Sequence, residues 1–303
     1  QMAKNKAHKH VAKRRPLEAV AAEYDAHFGR RFGDRWPALR EALTCPSTHA
    51  LLINKHCASD GHSLWRGAGS FEELPLNTPS VRLPPLMSAF HAAAPADSTG
   101  CIAYYLLDAA SILAVDALDL RADDTVLDMC SAPGGKAIAI AQHLNLRRSQ
   151  LWCNDVSKER CQRLRRVVSQ FIPREFAGTI KVTQHDATVL TSFPRMFSKV
   201  LVDAPCSTDR HVIQNPQELQ LWTTAVPEQN AARQFRLLCS ALQAARAPAT
   251  VVYSTCALDD RENDGVVAAV LRRFPERVRV RRLAFPFGES TPVGGGFVLP
   301  DTA

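Results

Sequence analysis

Val126-Leu127-Asp128-Met129-Cys130-Ser131-Ala132-Pro133-Gly134-Gly135-Lys136 runs from the end of a short apolar segment into residues with helical spacing. The apolar segment is predicted as a strand over 125–128, and the following one as a helix over 135–146. Two adjacent glycines permit positive φ and let backbone approach a ligand closely. Pro133 stiffens the turn. The stretch satisfies neither G-x-x-x-x-G-K-[ST] nor G-x-G-x-x-G, so it is neither a Walker phosphate loop nor the dinucleotide fingerprint. A plain tight turn between strand and helix is the bland alternative.

The same alternation continues downstream. Further strands are expected at 151–154, 179–183, 199–203 and 250–254, with helices at 157–171, 228–246 and 260–274. Strands separated by helices imply a mostly parallel, doubly wound α/β sheet. Ligands then bind outside the carboxyl ends of the strands. Upstream, 104–118 reads as a helix. Residues 66–100 are rich in Pro, Gly and Ser and read as a linker. Residues 16–65 form an N-terminal helical region, in which Leu17, Val20, Ala21, Tyr24 and Phe28 share helical spacing and Trp36, Leu39 and Leu43 resume it. The expected organisation is a basic tail over 1–15, the helical region, the linker, and a catalytic domain over 101–303.

The strand ends suggest a ligand. Asp155 stands twenty residues past Gly135, where an acid suits a ribose diol. Arg160, one helical turn on, could brace it or merely belong to a solvated basic face. Asp186, after the third strand, can accept from an exocyclic amine or cap a helix. A ribose acid and an adenine acid without a phosphate cradle point to an adenosine lacking phosphates, and S-adenosylmethionine fits best.

The fourth strand ends Asp203-Ala204-Pro205-Cys206 and the fifth ends Ser254-Thr255-Cys256. Neighbouring fourth and fifth strands would bring both cysteines and Asp203 into one pocket. Two thiols and a carboxylate beside a methyl donor suit cytosine C5, a poor nucleophile. A thiolate adding to C6 makes C5 carbanion-like. Asp203, protonated or sharing a proton, could support N3. A second thiol can assist release. Spacing leaves open which cysteine attacks.

These residues carry a resemblance. Asp128 to Lys136, Asp203 to Cys206, Ser254 to Cys256, and the earlier Asp108-Ala109-Ala110-Ser111 resemble the signature motifs of the Nop/Sun RNA 5-methylcytosine methyltransferases. The likeness runs from about 104 to 270. Two cysteines on successive motifs separate it from DNA cytosine methyltransferases. Residues 24–43, 104–118 and Thr208-Asp209-Arg210-His211 look like the family's mitochondrial small-subunit rRNA branch. The resemblance implies a Rossmann-like class I methyltransferase fold. It implies donor contacts at Gly134, Gly135, Lys136, Asp155, Arg160, Asp186 and Asp203. It implies Cys256 as nucleophile, Cys206 as the release cysteine, and no metal. It further implies a target in mitochondrial small-subunit rRNA, in the matrix, and a partner of the mitochondrial termination-factor-like (mTERF) class. Three departures stand out: Ala137 replaces a Thr, Ala187 replaces a Gly, and the family's closing strand is expected to be missing around Gly296-Phe297-Val298-Leu299.

Composition sets bounds around this reading. The 303 residues hold 37 Lys+Arg and 30 Asp+Glu, a formal charge of +7. Lys4, Lys6, Lys9, Lys13, Arg14 and Arg15 occur with no acid among the first fifteen residues, leaving the body nearly neutral. A uniformly cationic coat protein is excluded. The tail suits either a transit-peptide remnant or a solvated arm. Nine cysteines without a C-x-x-C pair argue against a disulfide framework or a zinc ribbon. No apolar stretch is long enough for a membrane helix. Arg272, Arg273, Arg277, Arg279, Arg281 and Arg282 form a second basic group, either a phosphate grip or an exposed edge strand. Trp36, Trp65 and Trp222 read as core or interface residues. No separate RNA-binding module is recognisable. A ribosome assembly factor that keeps the methyltransferase fold as a scaffold, with methylation dispensable, is the alternative.

Overall fold

A computed structural model of the chain describes residues 15–58, 72–82, 94–282 and 288–299. Residues 1–14 of the basic tail and Trp65 lie outside the described residues; Arg15 pairs with Glu23.

Helix α1 (Leu17–Phe32) buries Val20, Tyr24 and Phe28, which recur every fourth residue on one face. Gly33 ends it at φ +56°, a conformation that only glycine adopts cheaply. A 3₁₀ turn leads into α2 (Trp36–Thr44), whose buried face is Trp36, Leu39 and Leu43. The helical reading of this region stops there. Strand β1 (His49–Ile53), β2 (Glu72–Glu73), β3 (Ser80–Arg82) and β4 (Tyr104–Asp108) form a sheet in the order β2-β3-β1-β4. The sheet crosses both boundaries expected at 66 and 100, and the supposed linker supplies two of its strands.

Residues 104–118 are therefore not one helix. Tyr104 to Leu107 is an all-apolar run, which periodicity cannot assign to helix or strand. Pairing with β1, Ile53 opposite Tyr104 and His49 opposite Asp108, makes it a strand. Asp108 then caps helix α3 (Ala109–Asp116), its carboxylate accepting from the Ala110 amide at 2.9 Å.

The remaining elements follow the expected alternation: β5 (Thr125–Asp128), α4 (Gly135–His143), β6 (Gln150–Asn154), α5 (Lys158–Phe171), β7 (Ile180–Thr183), β8 (Phe197–Asp203), α6 (Asp209–Gln214), α7 (Pro216–Leu219), α8 (Ala225–Ala244), β9 (Ala245–Ser254) and α9 (Asp264–Arg273). The five strands pair in parallel in the order β7-β6-β5-β8-β9. The order reverses beside β5, opening a crevice at the carboxyl ends of β5 and β8. One face packs on Ile112, Ile138, Leu164 and Phe171. The other packs on Leu237, Leu238, Ala241, Val266 and Val270.

A third apolar cluster joins α1 and α2 to Val212, Leu219, Trp222, Leu258 and Leu299. Trp36 and Trp222 are thus core residues. Beyond α9, β10 (Glu289–Ser290) and β11 (Gly296–Phe297) make a small antiparallel pair, held to the N-terminal region by Arg35 and Glu289 at 2.6 Å. Among the described residues no strand adds beyond β9.

The second arginine group is neither an edge strand nor a neighbour of the cysteines. Arg272 and Arg273 close α9, and Arg277 to Arg282 are irregular. Arg281 binds the Asp119 carboxylate at 3.1 Å and the Ala117 carbonyl at 2.9 Å. Those residues precede β5, at the amino end of the sheet.

Candidate active site

Strands β8 and β9 are neighbours, with Asp203 opposite Ser254. That register places the loops after both strands side by side. Cys206 Sγ lies 3.1 Å from Cys256 Sγ, and also accepts from the Cys256 backbone N–H at 3.4 Å. Accepting from the Cys256 thiol and amide lowers the Cys206 pKa, and donating that proton raises Cys256. The two thiols therefore titrate as a pair, with Cys206 the more acidic member. Cys130 and Cys153 contrast with them: burial pushes both thiols up, as for inert structural cysteines.

Asp203 sits beside this pair. Its Oδ2 is 2.9 Å from Lys136 Nζ, and its Oδ1 accepts from Ser254 Oγ at 2.9 Å. Lys136 also donates to Ser111 Oγ at 3.1 Å. Burial opposes the charge of Lys136, but Asp203, Asp128 and Cys256 together raise its pKa. The Asp-x-x-Ser motif thereby has a physical role: Asp108 caps α3, and Ser111 in its first turn anchors the lysine.

The two glycines are also packed closely by protein. A Cβ on Gly135 would stand 2.9 Å from Tyr105 Cε1, and one on Gly134 would stand 3.0 Å from Val167 Cγ1. Protein fills the space at both. Gly134 also has φ +125°. Packing of the loop against β4 and α5 therefore requires these glycines, and any cofactor contact there belongs to their backbone.

Other groups in the crevice fit a methyl donor. Asp128 is fully buried, and neither its carboxylate oxygens nor Ser131 Oγ makes a well-formed hydrogen bond, although Ser131 and the Cys130 amide lie close enough to lower its pKa. Burial pushes Asp128 up to about 7. Unsatisfied buried polar atoms are costly, and an ammonium-bearing ligand would relieve them. Asp155, also buried, accepts from the Ser157 amide and faces Arg160 Nη1 at 3.1 Å. Arg160 simultaneously donates to the Ala132 carbonyl at 2.5 Å, joining the acid to the glycine loop. Asp186 is exposed at the end of β7 and accepts from Thr188 N and Oγ1, which lower its pKa. It closes a turn, not a helix, and makes no hydrogen bond to the other predicted site residues. An ammonium acceptor, a ribose acid and an ionised acceptor for an amine match S-adenosylmethionine.

Several supporting residues escape a reading of the sequence. Glu262 is fully buried. It accepts from Ser207 N at 3.1 Å, from Ser207 Oγ and from Gln234 Nε2 at 2.8 Å. Gln234 also donates to the Pro205 carbonyl at 2.9 Å, so the pair grips the Cys206 loop from both sides. Asp209 is buried and accepts from Tyr24 Oη at 3.0 Å and from the Leu258 amide at 2.7 Å. It thus ties helix α1 to the loops after both cysteines. Arg210 and Gln214 donate to carbonyls at the end of α2. The stretch 24–43 and the Thr208 to His211 motif were the sequence signals pointing here. Glu262 had none, because a buried glutamate looks like any other glutamate in a polar helix start. Among the described residues no group of His, Cys, Asp and Glu could hold a metal ion.

Comparison with known proteins agrees with this geometry. A family model described as 16S rRNA methyltransferase RsmB/F matches residues 115–297. The chain is 33% identical over 268 residues to the mouse mitochondrial tRNA (cytosine(34)-C(5))-methyltransferase, covering 83% of this chain and 75% of that protein. It is 31% identical over 287 residues to mouse 5-cytosine rRNA methyltransferase NSUN4, covering 85% and 75%. The crystal structure of NSun6 from Pyrococcus horikoshii with SFG superposes with a TM-score of 0.71 at 18% identity, covering 91% of this chain and 93% of that one. A methyltransferase homologue from the same organism gives 0.69 at 24% identity, with 94% of each chain covered. With a matched family model spanning most of the sheet and relatives above 30% identity along most of the length, the chain belongs to the RsmB/F family of RNA cytosine-C5 methyltransferases.

Proposed function

We propose that this protein methylates C5 of a cytosine in mitochondrial small-subunit rRNA, using S-adenosylmethionine. The observation that carries the chemistry is the 3.1 Å contact between Cys206 and Cys256 beside the Lys136–Asp203 pair. Asp128, Asp155, Arg160 and Asp186, with the backbone of Gly134 and Gly135, hold the donor. When bound, the donor supplies an electrophilic methyl group.

Cys256 is the nucleophile by the family pattern; its proton passes to the Cys206 thiolate 3.1 Å away, a transfer that runs against the acidity of the pair and is drawn forward by addition to C6. The Cys256 thiolate adds to cytosine C6, and the ring electrons move toward C5 and N3. Asp203 faces N3, and the proton it shares is the one on Lys136. Water has little access to Lys136, which keeps that charge effective. After methylation, a base removes the C5 proton, and the C5 electrons expel Cys256 from C6. Cys206 reprotonates the departing thiolate.

The target base must be unpaired or flipped to reach the crevice. The mitochondrial names of the similar proteins support a mitochondrial location, with the matrix following from a ribosomal target. An mTERF-class partner rests on the motif resemblance alone. The likeness to the tRNA (cytosine(34)-C(5)) enzyme supports a second reading, in which the substrate is a mitochondrial tRNA.

Bisulfite mapping of mitochondrial rRNA and tRNA with and without the protein decides between substrates. Loss of a single rRNA mark is the expected result; loss confined to a tRNA position selects the second reading, and an unchanged map defeats both. Cys206→Ala is expected to accumulate covalent protein–RNA adduct, and Cys256→Ala to lose both adduct and methylation. Methylation surviving Cys256→Ala would overturn the assignment. Restoration of ribosome assembly by Cys256→Ala protein would instead support the scaffold role.

A further inference from the structure

The face that carries the cysteines is rich in acids: Asp128, Asp155, Asp186, Asp203, Asp209 and Asp259 all follow the carboxyl ends of strands or sit in the loops there. Four of these acids are buried, and Lys136, Arg160, Arg210 and Arg261 lie among them, so that face carries both signs. A second group of cations, all exposed, lies elsewhere. β7 is the edge strand of the central sheet, and a cleft lies on either side of it. One, of about 430 Å³, is lined by Arg165 and Arg174 with Ile180 and Val182. The other, of about 420 Å³, is lined by Arg147, Arg148 and Lys181 with Trp152. No Asp or Glu lines either cleft, and neither touches the cysteine pair.

All five cations are exposed. Among the described residues the one acid that pairs with a member, Glu175, meets Arg147 at 3.1 Å with both side chains largely in solvent. Such a pair is weak and readily exchanged. Arg147 stacks over Phe176 at 5.1 Å, and Lys181 over Trp152 at 3.7 Å, which fixes both cations beside the clefts. Arg147, Arg148 and Gly178 lie in the loops leading into β6 and β7, at the amino ends of the strands. A strand of four or five residues is roughly 15 Å long, so this face and the cysteines occupy opposite edges of the sheet.

We propose that this amino-edge face binds the phosphate backbone of a structured RNA at a point remote from the target base. Arginine forks and a lysine flanking an edge strand suit phosphate oxygens, and the separation requires an RNA large enough to reach both edges. The proposal relies on the preceding reading only for the kind of polyanion.

The test uses the full chain carrying Arg147→Gln, Arg148→Gln, Arg174→Gln and Lys181→Gln together. These side chains are exposed, and an unchanged thermal melt verifies folding. Binding to a long structured small-subunit rRNA fragment is measured across a salt series, alongside methylation of a hairpin too short to span the sheet. The variant is expected to bind the long RNA roughly 10- to 100-fold more weakly, with a salt slope flatter by about 2 to 4. Methylation of the short hairpin and binding of the methyl donor should be unchanged. Arg→Lys changes at the three arginines should keep the slope. Unchanged affinity and slope would overturn the proposal, as would an equal loss on the short hairpin. A wild-type protein that binds RNA with the steep slope yet methylates nothing would sink the methyltransferase reading and leave this face standing.

Discussion

Asp209 concentrates much of what single residues do in this protein. Burial pushes its pKa up to about 6, against hydrogen bonds from Leu258 and Tyr24 that lower it. The folded state therefore binds this proton more tightly than the unfolded chain does. The resulting stability is fully present below pH 3.8 and is lost as pH rises through about 6. Asp259 has the opposite sign: burial raises its pKa, but Arg261 and His27 bring it down to about 2, so its contribution is present above the unfolded value and lost only in strong acid. Asp209→Asn should accordingly remove a fall in stability of the order of 3 kcal/mol between pH 4 and 6.5, read by urea unfolding at several pH values. A parallel pH dependence in the two proteins would show that Asp209 does not titrate there. Tyr24→Phe leaves a buried acceptor without its donor and should cost about 1–3 kcal/mol. Glu262→Ala removes the acceptor of three hydrogen bonds around the Cys206 loop. It should slow adduct formation with 5-azacytosine RNA more than it weakens donor binding. Equal effects on both would place Glu262 outside cysteine positioning.

At the scale of elements, α1 and α2 work as a clamp over the two cysteine loops. Phe28 is fully buried in a cluster that includes Leu258, two residues past Cys256. Phe28→Ala should cost about 3–5 kcal/mol by denaturation and should change the alkylation rate of Cys256 in the folded protein. An unchanged rate would separate the helical region from the site. The parallel strands and their crossover helices were legible because apolar runs and amphipathic segments alternate, and each long helix appeared within a few residues of its expected span. Residues 104–108 were not legible. Their apolar run has no period to read, and its pairing partner, β1, lies about fifty residues upstream. The Pro- and Gly-rich segment likewise hid two short strands, whose pairing owes nothing to local propensity.

Across the whole molecule, exposed arginines and a lysine gather around the edge strand β7, in two clefts that no Asp or Glu lines. Arithmetic on the sequence finds a balanced body and a basic tail, and cannot see this cluster. Deleting residues 1–14 should weaken ribosomal-particle binding at most and leave donor binding intact; loss of donor binding in calorimetry would contradict this.

The sequence by itself determined the reaction class. Asp203, Cys206, Cys256, Lys136 and the turn at Gly134-Gly135 are local signals, since each follows a strand whose end marks a ligand position. Tertiary structure decided how these groups are coupled. Only the β8–β9 register brings the sulfurs to 3.1 Å. Only folding buries Glu262 and Asp209 against partners far away in the chain, and only packing shows that Tyr105 and Val167 fill the space at the two glycines. Burial, proton sharing and the gathering of charge on one edge depend on contacts between residues distant in sequence, which no local pattern encodes.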